Sequence, residues 1–153
     1  MQTKKGQKGF SLIELLIVVA IIGIVAAIAI PNLLASRRAA NEASAISSMR
    51  TIGTAESTYA STLGSGVYGD FAALEGASLV DNKLANTSAT SLKSGYYFVI
   101  TGPDGSGYNT NGTSSSTNVG SRRFSSDESG IIYADTTSPT TAQTVTSGSP
   151  IGN

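Results

Sequence analysis

The chain has 153 residues, and its ten lysine and arginine residues are balanced by ten aspartate and glutamate residues. This length fits one domain, and the neutral balance gives no overall attraction to nucleic acid. The chain has no cysteine and no histidine, which excludes disulfides, the usual zinc sites and the Ser-His and Cys-His pairs of many hydrolases. We therefore expect no enzyme, no catalytic residue, no cofactor and no metal.

A long apolar run begins near the amino terminus. Residues 10–35 contain one charged side chain, Glu14, and a helix of this length crosses a hydrocarbon core of about 30 Å. Three lysines precede the run, at positions 4, 5 and 8, so the positive-inside rule predicts a single span with its amino terminus in the cytoplasm. A cleavable secretory signal is the alternative, but its apolar core is shorter and is followed by a small-residue site.

The stretch KGFSLIELLIVVAIIGIVAAIAIP resembles the amino-terminal segment of type IV pilins and of the related type II secretion pseudopilins. The resemblance is carried by a short basic leader that ends in Gly9, by Phe10 directly after it, by Glu14 four residues later and by Pro31. It implies that a prepilin peptidase cuts between Gly9 and Phe10 on the cytoplasmic face and that the new amine of Phe10 is methylated. Residues 1–9 are then a leader.

An isolated carboxylate in a membrane costs about 3 kcal/mol on insertion scales, so Glu14 needs a reason to be in the apolar run. Cleavage would create an amine at Phe10, and each buried charge would need a partner. In a staggered polymer, Glu14 of one subunit can meet the Phe10 amine of its neighbour. The spacing also allows Glu14 to pair with its own amine, and the helix dipole favours a carboxylate in the first turn.

Two residues of the span are poor helix formers. Gly23 weakens a helix by about 1 kcal/mol relative to alanine, and Pro31 removes a backbone donor. We expect a kink near Pro31, which a membrane protein can tolerate. The resemblance implies that the segment from Gly23 to Pro31 loses helicity in the assembled filament.

After Pro31 the pattern becomes amphipathic and predicts that residues 36–63 continue the helix along a core. The apolar positions recur at spacings of three or four, and the polar positions lie mainly elsewhere around the helix. The predicted core stripe is Ile46, Met49, Ile52, Ala55, Tyr59 and Leu63, and the predicted outer positions are Arg38, Glu42, Ser47, Arg50 and Ser57.

Residues 64–153 predict a small head with a polar carboxy-terminal tail. Asp70 is a candidate N-cap for a short helix that ends by Gly76. The stretches GYYFVIT, SRRFSS and GIIYAD have strand composition and predict an antiparallel sheet of three or four strands. We expect an α+β fold, in which the second half of a long amino-terminal helix packs on this sheet, as the resemblance to pilins also implies.

Other residues fit the pattern of a binding or modification site but also have simpler explanations. Asp104, Asp127, Glu128 and Asp135 are calcium-type ligands, but no compact Asp-x-Asp-x-Asp loop is present. Arg37 and Arg38 could meet anionic lipid or nucleic acid, or form a solvated band above the membrane. Asn86 and Asn111 begin N-glycosylation patterns.

The sequence thus predicts a structural subunit of a type IV pilus that polymerises through its amino-terminal helix, for adhesion, twitching motility or DNA uptake. The alternatives are a type II secretion pseudopilin, which forms a periplasmic pseudopilus for protein export, and a single-span binding module that never polymerises. The expected partners are further copies of the chain, the prepilin peptidase and methyltransferase, an inner-membrane assembly platform and minor pilins. The subunit would lie in the inner membrane before assembly and in the filament afterwards.

Overall fold

In a computed structural model of the chain, the structure describes residues 9–136 and 148–151. The predicted leader, apart from Gly9, and most of the predicted polar tail lie outside the described residues. The chain divides into an apolar unit, residues 1–36, and a sheet unit, residues 37–153.

Helix α1 covers Leu12–Thr62 and confirms the predicted long amino-terminal helix. Leucine, isoleucine and alanine dominate its first half, and alanine and serine are frequent in its second half. The helix continues through Gly23 and Pro31 in the structure. The kink near Pro31 and the loss of helicity in a filament remain predictions.

The sheet unit contains one antiparallel sheet whose five strands follow one another in sequence order. Two short helices precede the sheet, and Asp70 caps the first as predicted, accepting a hydrogen bond of 2.8 Å from the amide of Ala73. The elements are α2 (Phe71–Gly76), α3 (Asn82–Ala85), β1 (Tyr96–Thr101), β2 (Asn109–Ser114), β3 (Arg123–Asp127), β4 (Ile132–Asp135) and β5 (Ser149–Pro150).

The core of the sheet unit lies between the second half of α1, the short helices and one face of the sheet. Its buried apolar residues are Ala45, Met49, Ile52, Ala55, Leu74, Val80, Leu84, Tyr96, Phe98, Phe124 and Ile132. Most of the predicted helix stripe is therefore correct. Leu63 is the exception: it is 63% exposed because α1 ends at Thr62. Glu42 was expected on the outer face but is buried, because the loop before β3 uses its carboxylate.

Strand β2 was missed by sequence reasoning. Its sequence, NTNGTS, has no apolar side chain, yet it pairs with β1 on one side and β3 on the other. Gly112 explains how such a strand is buried: a Cβ there would lie 2.9 Å from the ring of Phe98 and 3.5 Å from the sulfur of Met49. Larger side chains of neighbouring elements thus fill the space above β2. Asn111 is buried in this strand, whereas Asn86 is exposed.

The outer edge of β1 is covered by the segment before it. The main chains of Lys93 and Tyr96 exchange two hydrogen bonds, of 2.8 and 3.0 Å. Further along, the hydroxyl of Thr87 accepts from the amide of Phe98 at 2.9 Å and donates to its carbonyl at 3.3 Å. The side chain of Thr87 thereby hydrogen-bonds the amide and the carbonyl of Phe98, which another strand would otherwise bind.

Candidate processing and assembly segment

The predicted cleavage site is exposed in the structure. Phe10 is 84% exposed, and no atom lies within 4 Å of the position that a Cβ on Gly9 would occupy. Packing within the described residues therefore does not require glycine at position 9. A requirement for this small residue would have to come from another protein.

Glu14 and Ser11 together cap the start of α1. The amide of Ser11 donates to Oε2 of Glu14 at 2.9 Å, and the hydroxyl of Ser11 accepts from the amide of Ile13 at 3.3 Å. The carbonyl of Ser11 also accepts from the amide of Leu15 at 3.2 Å, as expected of an N-cap residue. This arrangement resembles a capping box, whose Ser-x-x-Glu signature is present in the sequence, except that the Ser11 hydroxyl bonds the amide of Ile13 rather than that of Glu14.

This cap uses one oxygen of the Glu14 carboxylate. Among the described residues, no group donates a hydrogen bond to Oε1. Phe10 is joined to Gly9 by a peptide bond in this chain, so its nitrogen is an amide and carries no charge. Glu14 can therefore cap its own helix with Oε2 and still offer Oε1 to a cation from elsewhere.

The described part of the apolar unit, residues 9–36, exposes nearly all of its side chains. From Leu12 to Leu34 the large aliphatic residues are 42–80% exposed, and α1 contains a stretch long and apolar enough to cross a membrane. A soluble protein rarely exposes so much continuous apolar surface. This surface needs lipid or other protein around it.

The acidic residues considered for calcium are engaged separately. Asp104 accepts from the amides of Ser106 and Gly107, Asp127 accepts from Ser129, and Asp135 pairs with Arg123 across neighbouring strands. In residues 9–136 and 148–151, no group of three or more acidic side chains is positioned to hold a metal ion.

Glu56 is a buried carboxyl that sequence reasoning missed. Its side chain is completely buried on α1, and Oε2 accepts from the amide of Gly69 at 2.9 Å. Oε1 is buried without a hydrogen-bond partner among the described residues. Burial raises the pKa of Glu56 to about 7, and the nearby carboxylate of Asp70 adds to this effect, while the Gly69 amide opposes it. No signal in the sequence distinguishes this glutamate from an exposed one.

Comparison with known proteins adds evidence on the amino-terminal segment. The family model of the prokaryotic N-terminal methylation motif matches residues 4–30. The type IV wide pilus major component PilA4 of Thermus thermophilus is 66% identical over 38 residues, which are 25% of this chain and 29% of the relative. The type IV major pilin protein PilA of Myxococcus xanthus is 45% identical over 65 residues, 42% of this chain and 29% of the relative.

A fimbrial protein of Pseudomonas aeruginosa is 82% identical over 28 residues, which are 18% of each chain. The chain thus matches less than a third of the length of these curated relatives. The motif match spans residues 4–30, a range that contains Gly9, Phe10 and Glu14. The motif and the relatives together show that the amino-terminal segment of this chain is similar to that of type IV pilins with a class III signal.

Proposed function

We propose that the chain is a structural subunit of a type IV pilus and polymerises through the apolar part of α1. The observation that carries this proposal is the methylation motif over residues 4–30, of which residues 12–30 lie on helix α1 with their large apolar side chains exposed. The named relatives are pilus components. In this function the sheet unit is presented by the polymer, and the helix provides cohesion.

Glu14 is the residue that we assign to register. Lipid tails are about as apolar as leucine, so moving the helix from a bilayer into a filament gives little hydrophobic gain. A specific charge pair therefore decides where an incoming subunit stops. After cleavage, the Phe10 amine of one subunit would meet Oε1 of Glu14 on a neighbour, where poor solvation strengthens their attraction.

Processing and assembly require further partners. We propose that a prepilin peptidase cuts between Gly9 and Phe10 and that a methyltransferase modifies the new amine. The subunit waits in the inner membrane as a single span with its amino terminus in the cytoplasm. It then enters the filament through an assembly platform, with minor pilins as additional subunits, and Gly23 to Pro31 is the part of the helix that extends.

Substitution of Glu14 tests this function. We expect Glu14→Ala to leave membrane insertion and cleavage intact but to reduce surface filaments at least tenfold, as counted by electron microscopy. Glu14→Gln should fail similarly, because it can still accept the hydrogen bond from Ser11 but has lost the charge. Ser11→Ala is the control: it weakens the cap by about 1 kcal/mol and keeps the carboxylate, so filaments should remain.

Two results would contradict the proposal. Normal numbers of filaments that contain the Glu14→Ala subunit would show that the charge is not needed for assembly. Deletion of the gene with loss of secreted enzymes, and with surface fibres unchanged, would instead indicate a pseudopilin of type II secretion.

A further inference from the structure

Two arginines lie directly after the apolar run and lack acidic partners within the described part of the chain. Arg37 is exposed and Arg38 is half-buried. Neither forms an ion pair there, and Nε of Arg38 is buried without a hydrogen-bond partner. Three other cations of the sheet unit are paired: Lys93 with Asp81, Arg122 with Glu42, and Arg123 with Asp135. Arg50 and Lys83 are exposed and form no ion pair among the described residues.

Glu42, the nearest carboxylate after the arginine pair along the helix, is already engaged by other groups. Glu42 follows Arg38 by four residues, a spacing at which opposite charges pair along a helix. However, Oε1 of Glu42 accepts from the amide and hydroxyl of Ser121 at 2.8 and 2.9 Å, and Oε2 accepts from Nε of Arg122 at 2.8 Å. Burial acts to raise the pKa of Glu42, but these hydrogen bonds hold it below its ordinary value, so Glu42 is ionised and occupied.

The residue four positions after Arg37 is also committed to the sheet unit. Asn41 donates from Nδ2 to the carbonyl of Val119 at 3.0 Å. Glu42, the carboxylate four residues after Arg38, therefore holds the loop before β3, and the neutral side chain of Asn41 supplies no anion to Arg37. Two guanidinium groups remain beside the apolar run without an anion from the described chain.

We propose that Arg37 and Arg38 bind the phosphates of anionic phospholipid headgroups at the outer face of the membrane. The proposal rests on the proposed membrane-spanning subunit, because the arginines follow the last apolar residue by only two positions. A guanidinium group can donate two parallel hydrogen bonds to the oxygens of one phosphate, and the exposed guanidinium of Arg37 has no acidic partner among the described residues. A duplex nucleic acid would also offer phosphates, but the adjacent span keeps this site at the lipid surface.

Removal of the leader would change the distribution of basic side chains between the two sides of the span. Before cleavage, three lysines flank the span on the cytoplasmic side and the arginine pair flanks it outside. Each cation beside an anionic surface adds to the attachment of the subunit to the membrane. Cleavage after Gly9 removes all three lysines, and the arginine pair then supplies the only basic side chains next to the span. The mature subunit then has the arginine pair at its outer face and the Phe10 amine at the other.

Short-range fluorescence quenching in lipid vesicles tests the arginine pair. Because the chain has no cysteine, Ser36→Cys in the full chain gives one labelling position beside the site. The label is quenched with nitroxide-bearing phosphatidylglycerol or, at the same mole fraction, nitroxide-bearing phosphatidylcholine. We expect about twofold greater quenching by phosphatidylglycerol and a ratio near one for the double variant Arg37→Gln with Arg38→Gln.

Arg50→Gln is the control, since it removes one positive charge from an exposed position of the same helix, and its ratio should stay near two. An unchanged ratio in the double variant, or an equal fall in the Arg50→Gln control, would overturn the proposal. Stronger binding of a duplex DNA fragment than of anionic vesicles, lost in the double variant, would identify nucleic acid as the partner instead. The pilus function is tested separately, by counting filaments on cells. If cells with the unaltered chain have no filaments, the pilus function is contradicted. The quenching ratio in vesicles does not depend on filaments.

Discussion

The carboxyl groups of three glutamates on α1 have different roles, which depend on the groups that donate hydrogen bonds to them. Glu14 caps a helix, Glu42 holds a loop 79 residues away, and Glu56 is buried with one oxygen unpartnered among the described residues. All three are glutamates on α1, and their local sequences do not distinguish these tasks beyond the capping signature at Glu14. Their roles arise from groups that the fold brings to them.

Glu56 should make the stability of the sheet unit depend on pH. Its pKa is about 7 in the folded protein against 4.5 ordinarily, so folding takes up a proton between these values. The free energy of unfolding should therefore fall by about 3 kcal/mol as the pH rises from 4.5 to 7 and then level off. We expect Glu56→Gln to remove this fall, because the amide still accepts from Gly69 but never ionises.

Thermal unfolding of the full chain in detergent, followed by near-ultraviolet circular dichroism from pH 4 to 8, measures this effect. The exposed Glu128→Gln is the matched control and should keep the pH dependence of the unaltered chain. A Glu56→Gln variant with that same dependence would show that Glu56 is ionised in the folded protein near pH 6.

Among the secondary-structure elements, the sequence predicts those whose own side chains form the core. The apolar run and the three-to-four spacing that follows it predict α1, and the aromatic and β-branched residues of 95–101 predict β1. Strand β2 escapes prediction because its side chains are polar and the apolar cover comes from Phe98 and Met49. Short pairings such as β5 depend on a distant strand and leave no periodic pattern.

The account of β2 predicts the effect of filling Gly112. A Cβ at this position meets the ring of Phe98 at 2.9 Å, and that ring is almost completely buried. We expect Gly112→Ala to lower the free energy of unfolding by about 1–3 kcal/mol through overpacking. Gly105→Ala is the control, because nothing lies within 4 Å of its added methyl group. Equal stability of the two variants in urea denaturation would contradict this explanation.

For the whole molecule, processing would change both mass and charge. Loss of residues 1–9 removes three lysines and no acidic residue, which leaves seven basic and ten acidic side chains. The mature subunit should therefore be acidic, and intact-mass measurement should find an amino terminus at Phe10 with one added methyl group.

Gly9→Leu tests the recognition of the cleavage site. Because packing in the described chain leaves position 9 open, the substitution should not disturb folding. We expect it to accumulate uncut precursor in the inner membrane, whereas Gly6→Leu, a leader substitution away from the cut, should mature. Normal maturation of Gly9→Leu would refute the requirement for a small residue before the scissile bond.

The hydroxyl of Thr87 has a consequence for sheet units that are held at high local concentration. In the proposed filament, many copies of the sheet unit would be held close together for long periods, a condition that favours strand addition between neighbouring sheets. Because Thr87 and Lys93 already satisfy the main chain of Phe98 and Tyr96, the outer edge of β1 offers little to a passing strand. This edge of the sheet should therefore not join neighbouring sheet units, and cohesion in the proposed filament would come from the helices.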